Sequence, residues 1–267
     1  MEQPFFDYNP NFDATVISPE KVRGLSLGKI TERFGTLGLY VRTIDSLQQN
    51  GFGDNELVQS SLYLGCALHF NDTRTNGHYT DHLMRVTLHM LDDFHIKDPN
   101  LIASGPLHDA FEDHPFDLAT TLTGERAPDV QTARKRGRAA LASLTNQTVV
   151  DIIASVTNPE PQPGEDKQTS YNKHVNNLVL HNPQARVLKL ADFIDNAAGN
   201  HATIGALQHK LDLKYIDQYR THMMGLYLPD SLITGKDRQE ALHVLSIGHA
   251  RALARLAIHK QNAQSAK

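Results

Sequence analysis

Tryptophan is absent from the sequence, cysteine occurs once, and no apolar run approaches the ~18 residues that a bilayer span needs. A lone Cys66 excludes an intramolecular disulfide and suits a reducing compartment. The opening Met-Glu-Gln-Pro carries neither the basic nor the apolar region of an export signal, so a cytoplasmic location is expected. Charge of one sign is lacking too. Lys+Arg 26 against Asp+Glu 30 gives −4, which argues against a broad nucleic-acid surface and predicts no DNA, RNA or membrane partner. With 267 residues, 40% of them hydrophobic, the chain can bury a full core without disulfide or metal staples. What it has in plenty is histidine, 15 in all, which invites a search for metal ligands.

Apolar residues recur at helical spacing and period-2 alternation is scarce, so the fold class reads as all-α. Ser18 as N-cap and Pro19 at the first helical position open a stripe of Leu27, Ile30, Phe34, Leu37, Val41 and Ile44 that runs to Asn50-Gly51. The stripe resembles a short coiled-coil seam, but under three heptads it reads as a helix packed on its own domain. Helices follow over Asn55 to Asn71 and Asp81 to Phe94, the second burying Leu83, Val86, Met90, Leu91 and Phe94, with a polar loop over 72–80 between them. Asp98 caps a helix with Pro99 at its first position that carries to His114, where Pro106 predicts a kink or a start delayed to Ser104. Residues 116–129 read as loop, 130–144 and 146–157 as helices, and the proline-rich stretch 158–167 as a loop. Helices resume over 170–181, 183–200, 203–228 and 236–259, and the polar tail after Gln261 is expected to fray. No linker or repeat divides the chain, so a single helical domain over 1–267 is expected, with an N-terminal extension over 1–56 and a C-terminal helix and tail over 229–267.

The segment His108-Asp-Ala-Phe-Glu-Asp113 carries the chemistry. On one helix His108 and Glu112 lie four apart, as do Asp109 and Asp113, which crowds three carboxylates and an imidazole onto two adjacent rows. Like charges so placed repel, and a divalent cation would compensate. Leu101, Ile102 and Leu107 make the preceding turns apolar, so this end enters a core. His82 stands at the start of its helix with apolar Val86 four residues on, and can point into the same interior. A second acidic cluster, Asp192 and Asp195, lies in an apolar helix where Lys189 and Asn196 share a face with Asp192. Spacing alone does not choose between the two aspartates. An aspartate in such a helix is costly unless paired, and Lys189 is a candidate partner. The run Arg134-Lys-Arg136-Gly-Arg138 reads as a solvated helix face, and Cys66 as core. His69, His78, His89, His95 and His114 are given no chemistry.

The set His82, His108-Asp109 and Asp192 resembles the H…HD…D signature of the HD-domain metal phosphohydrolases, and His-Asp-x-x-Glu-Asp resembles the subset that hydrolyses (p)ppGpp, the RelA/SpoT-type and small alarmone hydrolases. Arg74-Thr-Asn-Gly-His-Tyr79-Thr-Asp-His82 is similar to that family's Arg-Lys-Ser-Gly-x-x-Tyr-x-x-His stretch, one residue shorter. Val187 to Asn196 is similar to its Lys-Leu-Ala-Asp-x-x-x-Asn helix, and Val156-Thr-Asn158 falls where it has Val-Thr-Lys. The match runs in order over about residues 57 to 228. It implies an HD-domain helical bundle with extra terminal helices and a metal held by His82, His108, Asp109 and Asp192. It further implies Mn²⁺ as that metal, although the ligand set admits other divalent cations. Glu112 and Asp113 become the acid/base pair, with the division of roles open. A small nucleotide is the implied substrate. Arg74 would stack on its base, Tyr79 would line the nucleoside pocket, Lys173 would meet phosphates and Asn196 would bond the base or ribose.

Departures from the pattern fall on the substrate side. The family lysine after the arginine is Thr75, Val-Thr-Lys ends in Asn158, and Ala-Ala-Gly199 follows Asn196 where a threonine often contacts the base. The resemblance therefore implies hydrolysis of the 3′-pyrophosphate of (p)ppGpp to GDP or GTP and pyrophosphate. The alternatives are the same site acting on (p)ppApp or NADPH, and a non-catalytic HD-fold nucleotide-binding module.

Overall fold

A computed structural model describes residues 17–74, 77–198 and 206–265. The fold is all-α, about 75% helical, with two short strands among the described residues. The chain divides into two compact units, Met1–Ala154 and Ser155–Lys267. Among the described residues no helix is long and apolar enough to cross a membrane.

In the first unit, α1 (Pro19–Arg23) leads into α2 (Leu27–Gln49). Of the expected stripe only Ile30 is buried, Leu27 and Phe34 being half-buried, and at Gly35 a φ of 58° and ψ of −153° break the helix. That break rotates the second half of α2, so Gly38, Leu39, Thr43, Ser46 and Leu47 are buried, while Leu37, Val41 and Ile44 are half-exposed. Asp45 is held by Arg23 and Gln49, while Arg42 and Ser46 bond Asp92. The N-terminal helix is thus docked within its own unit.

Next comes α3 (Glu56–Leu68), capped by Asn55, whose side chain accepts the Val58 N–H at 3.1 Å. The expected polar loop holds a small antiparallel pair, β1 (Thr73–Arg74) and β2 (Gly77–His78), with Thr73 opposite His78 and Arg74 opposite Gly77. Thr75 lies outside the described residues. From there α4 (Tyr79–Leu88) packs on α2 and passes into a π-turn over His89–Asp93; Leu83, Val86, Met90, Leu91 and Phe94 are buried as their spacing predicts.

Asp98 caps α5 (Pro99–Ser104), accepting the Asn100 N–H. The expected helix to His114 is not continuous: α5 ends at Ser104, the chain turns through 105–109, and α6 (Ala110–Asp113) is a separate turn of helix. Pro106 has no N–H to continue the ladder, which ends the helix there. The stretch read as loop contains α7 (Pro115–Thr123), with Pro115 in its first turn and Gly124 closing it at φ 73°. It packs on α8 (Val130–Leu144). Then α9 (Gln147–Val156) buries Val149, Ile152, Ile153 and Val156.

The second unit is built on α10 (Lys167–His181) and α11 (Pro183–Phe193), capped by Asp166 and Asn182. A π-turn over Ile194–Ala198 extends α11. The sequence reading of helix over 183–200 and 203–228 runs into residues 199–205, outside the described set, as is Gly199. The second of these helices is interrupted, giving α12 (Ala206–Tyr215) and α13 (Gln218–Gly225). Phe193 packs edge-on against Tyr215 and Tyr219 in the core. Helix α14 (Gly235–Ser265) continues past Gln261, where fraying is expected.

Candidate metal centre

The turn made by Pro106 decides what the His108-Asp109 segment presents. His108 lies before α6 rather than on it, and Asp109 takes the N-cap position. The four ionisable groups therefore do not share one helical face as their spacing predicts. His108 and Asp109 turn toward the core, while Glu112 and Asp113 on α6 reach solvent. Helix α3 passes close behind this turn because residue 65 is glycine: a Cβ there would sit 2.1 Å from the Pro106 carbonyl oxygen.

Three side chains then converge. His82 from the first turn of α4 and His108 are buried, with ring centroids 5.2 Å apart, and Asp109 points its Oδ2 at both. Oδ2 lies 2.9 Å from His108 Nε2 and 3.9 Å from His82 Nε2. One ligand atom from each residue falls within 4.8 Å of the others. His108 Nδ1 donates to the Gly105 carbonyl at 2.8 Å. In the neutral ring that bond leaves Nε2 as a lone pair facing a carboxylate oxygen, an arrangement of two acceptors that a cation between them relieves. Two imidazoles and a carboxylate are the donor set of a divalent cation of hard to borderline character. The side chain of Asp109 is 19% exposed, which leaves one side of the group open.

Tyr79 closes the group. Its phenol donates to Asp109 Oδ2 at 2.5 Å and lies 3.0 Å from Asp113 Oδ2, so it ties the ligand carboxylate to the second acid of the motif. Burial and the Asp109 charge both push the phenol pKa up. Desolvation, then the charges of Asp109 and Glu112, hold the Asp113 carboxyl above its ordinary range even though its side chain reaches solvent. The Arg74 guanidinium lies over the Tyr79 ring, 4.2 Å from its centroid, and the His69 ring stacks on the same tyrosine at 4.4 Å. The residues expected to grip a nucleoside base, Arg74 and Tyr79, are thus packed on each other.

The remaining predicted residues belong to the second unit. Asp192 is buried on α11, with Lys189 Nζ donating to its Oδ2 at 2.9 Å and Asn196 donating to its Oδ1. Asn196, expected at the base or ribose, here orients Asp192. Asp195, which spacing left as an equal candidate, is also buried, in the π-turn. Lys173 is exposed and paired with Glu165 at 2.6 Å, beside a pocket of about 260 Å³ also lined by Ser170 and His174. Next to Asp192 and Lys189, His222 is fully buried, and burial first, then the Lys189 charge, drive its pKa down to about 3.

Sequence reading missed a second convergence. His69, Asp72 and His114 also bring one ligand atom each within 4.8 Å of one another. The i, i+3 spacing of His69 and Asp72 at a helix end was the available signal; the arrival of His114 from the far side of α6 was not readable. The solvated reading of Arg134 to Arg138 is modified in one respect, since Arg138 lies over the Phe111 ring and Arg136 reaches Glu125. Cys66 is buried as expected, and burial pushes its thiol up to about 12. No protein-family model matches the chain, and no match is found among the curated proteins or the solved structures.

Proposed function

We propose that the chain is a metal-dependent phosphohydrolase of the HD type that removes the 3′-pyrophosphate of a guanosine alarmone, giving GDP or GTP and pyrophosphate. The observation that carries this reading is the convergence of His82, His108 and Asp109 with Asp113 tied to the same carboxylate through Tyr79. The sequence resemblance, rather than any distance, supplies Asp192 as the fourth ligand and Mn²⁺ as the metal. When bound, the cation neutralises phosphate charge and makes water acidic enough to react near neutral pH.

The chain's own residues do the rest. Gly105 fixes the His108 tautomer, and Tyr79 holds the Asp109 carboxylate in place. Glu112 and Asp113 divide the proton traffic: one takes a proton from the attacking water, the other returns one to the ribose 3′-oxygen as the bond to phosphorus breaks. A cytoplasmic enzyme of small nucleotides fits this reading. The same site acting on a second nucleotide, (p)ppApp or NADPH, is the alternative, because the departures from the family pattern at Thr75, Asn158 and Gly199 all fall on the substrate side.

The test is a turnover screen with Mn²⁺ against ppGpp, pppGpp, ppApp and NADPH, following pyrophosphate and orthophosphate separately. Pyrophosphate release from ppGpp, lost in Glu112→Ala with metal retained, is the expected result. Turnover unchanged in both Asp109→Ala and Glu112→Ala overturns the assignment, and metal binding without turnover of any of the four marks a binding module.

A further inference from the structure

Beside the first group of ligands, and independent of the reading given to it, stands a second one. His69 ends α3, Asp72 follows in the turn before β1, and His114 joins α6 to α7. His69 Nδ1 lies 2.8 Å and His114 Nε2 2.6 Å from the same oxygen, Asp72 Oδ2. The two imidazoles meet edge to face with centroids 4.5 Å apart. His114 Nδ1 faces Asp117 Oδ2 at 2.9 Å.

We infer that His69, Asp72 and His114 form a second divalent-cation site, selective for a borderline ion of the Zn²⁺ class, with Asp117 as the carboxylate that orients His114. The donor set is two nitrogens and one oxygen, which suits Zn²⁺ better than Mg²⁺ or Ca²⁺. At Zn–ligand bonds of about 2.0–2.1 Å the donors of a tetrahedral ion stand about 3.3 Å apart, so the cation needs the two N···O contacts to open by roughly 0.5–0.7 Å. The Asp117–His114 pair is the carboxylate–histidine arrangement that fixes which ring nitrogen faces a metal. Access is present: His69 is fully buried, but the side chains of Asp72 and His114 are 33% and 15% exposed, leaving one side of the group open to water and ions. A cation here would clamp the end of α3 to the α6–α7 junction, and through the His69 ring would seat Tyr79, whose phenol holds Asp109.

The experiment is calorimetric titration of Zn²⁺ into the EDTA-stripped full chain and its variants, each checked by circular dichroism for an unchanged helical spectrum. Two equivalents are expected for the unmodified chain, one for Asp109→Asn, one for His114→Gln and none for the double variant. Asp117→Asn, at an exposed position, should keep the second equivalent but bind it about 10–100-fold more weakly, and so reports on the site even where His114→Gln unfolds. Zn²⁺ binding in the Asp109→Asn chain that is indifferent to His114→Gln and Asp117→Asn overturns the inference, as does its absence there. If Asp109→Asn leaves both equivalents while His114→Gln removes one, the first site fails and the second stands.

Discussion

Two aspartates, the partly exposed Asp109 of the first unit and the buried Asp192 of the second, are held in different ways. Asp192 is met from within its own helix by Lys189 and Asn196, three and four residues away, so both carboxylate oxygens have protein donors. Asp109 is met by two imidazole nitrogens and a phenol, and the nearest of these nitrogens has its other ring position committed to the Gly105 carbonyl. A carboxylate with a lysine at hand carries its counter-charge in the fold. A carboxylate set beside two imidazole nitrogens is one that a divalent cation can bridge, which is what the proposed metal site requires.

Substitutions can break this contrast. The largest effect is expected from Asp109→Asn, which should reduce Mn²⁺-dependent turnover on the order of 10³–10⁴-fold, as loss of several kcal/mol of charge stabilisation implies. The same change should alter the stability of the metal-free chain little, measured by urea unfolding; a large destabilisation would mean that Asp109 is held from within the fold as firmly as Asp192. Lys189→Met should do the reverse, costing about 3–5 kcal/mol of stability by leaving the Asp192 charge buried with its main partner gone. A cost below about 1 kcal/mol would erase the distinction between the two aspartates.

Gly65→Ala probes the support of the first site. The added methyl meets the Pro106 carbonyl, so a loss of about 1–3 kcal/mol is expected together with weaker metal binding, because the 105–108 turn must move. Tyr79→Phe removes only the phenol from Asp109 and should weaken metal binding by about 10–100-fold with the fold intact, read by titration. The smallest effect belongs to a third carboxylate, Asp45. Its hydrogen bond from Arg23, with that residue's charge, holds its pKa below the ordinary value. A depressed folded-state pKa means that the stabilisation is present above about pH 4 and is lost as pH falls through the lower folded value. Asp45→Asn should therefore flatten the acid limb of the stability profile, and an unchanged limb would show that this pair contributes nothing.

Local signals were legible where local chemistry settles the outcome. Asn55 and Asp98 cap the helices that their positions announce, and the apolar spacing of Leu83, Val86, Met90, Leu91 and Phe94 names the buried face of α4 and its π-turn. The miss at α7 was avoidable, since Pro115 and Gly124 bracket that helix with the residues that favour its two ends. Gly35 was harder. A helical pattern continues through it in sequence, and only the positive φ adopted in the fold turns Leu39 inward in place of Leu37.

For the chemistry, residue types and order pointed to His82, His108 and Asp109, which the fold brings within 4.8 Å of one another, and to Glu112 and Asp113 on the adjoining α6. Which atoms face each other was decided by tertiary structure. Pro106 ends α5 and releases His108 and Asp109 from the helical face that spacing predicts; the Gly105 carbonyl selects the His108 tautomer; and Tyr79, expected at a nucleoside, is drawn onto Asp109 and Asp113. His114 reaching Asp72 across 42 residues of sequence is of the same kind. Patterns of charge and apolarity act along the chain and can be read there, whereas a metal-binding geometry depends on where separate elements bring single atoms, and that is settled only when the core packs.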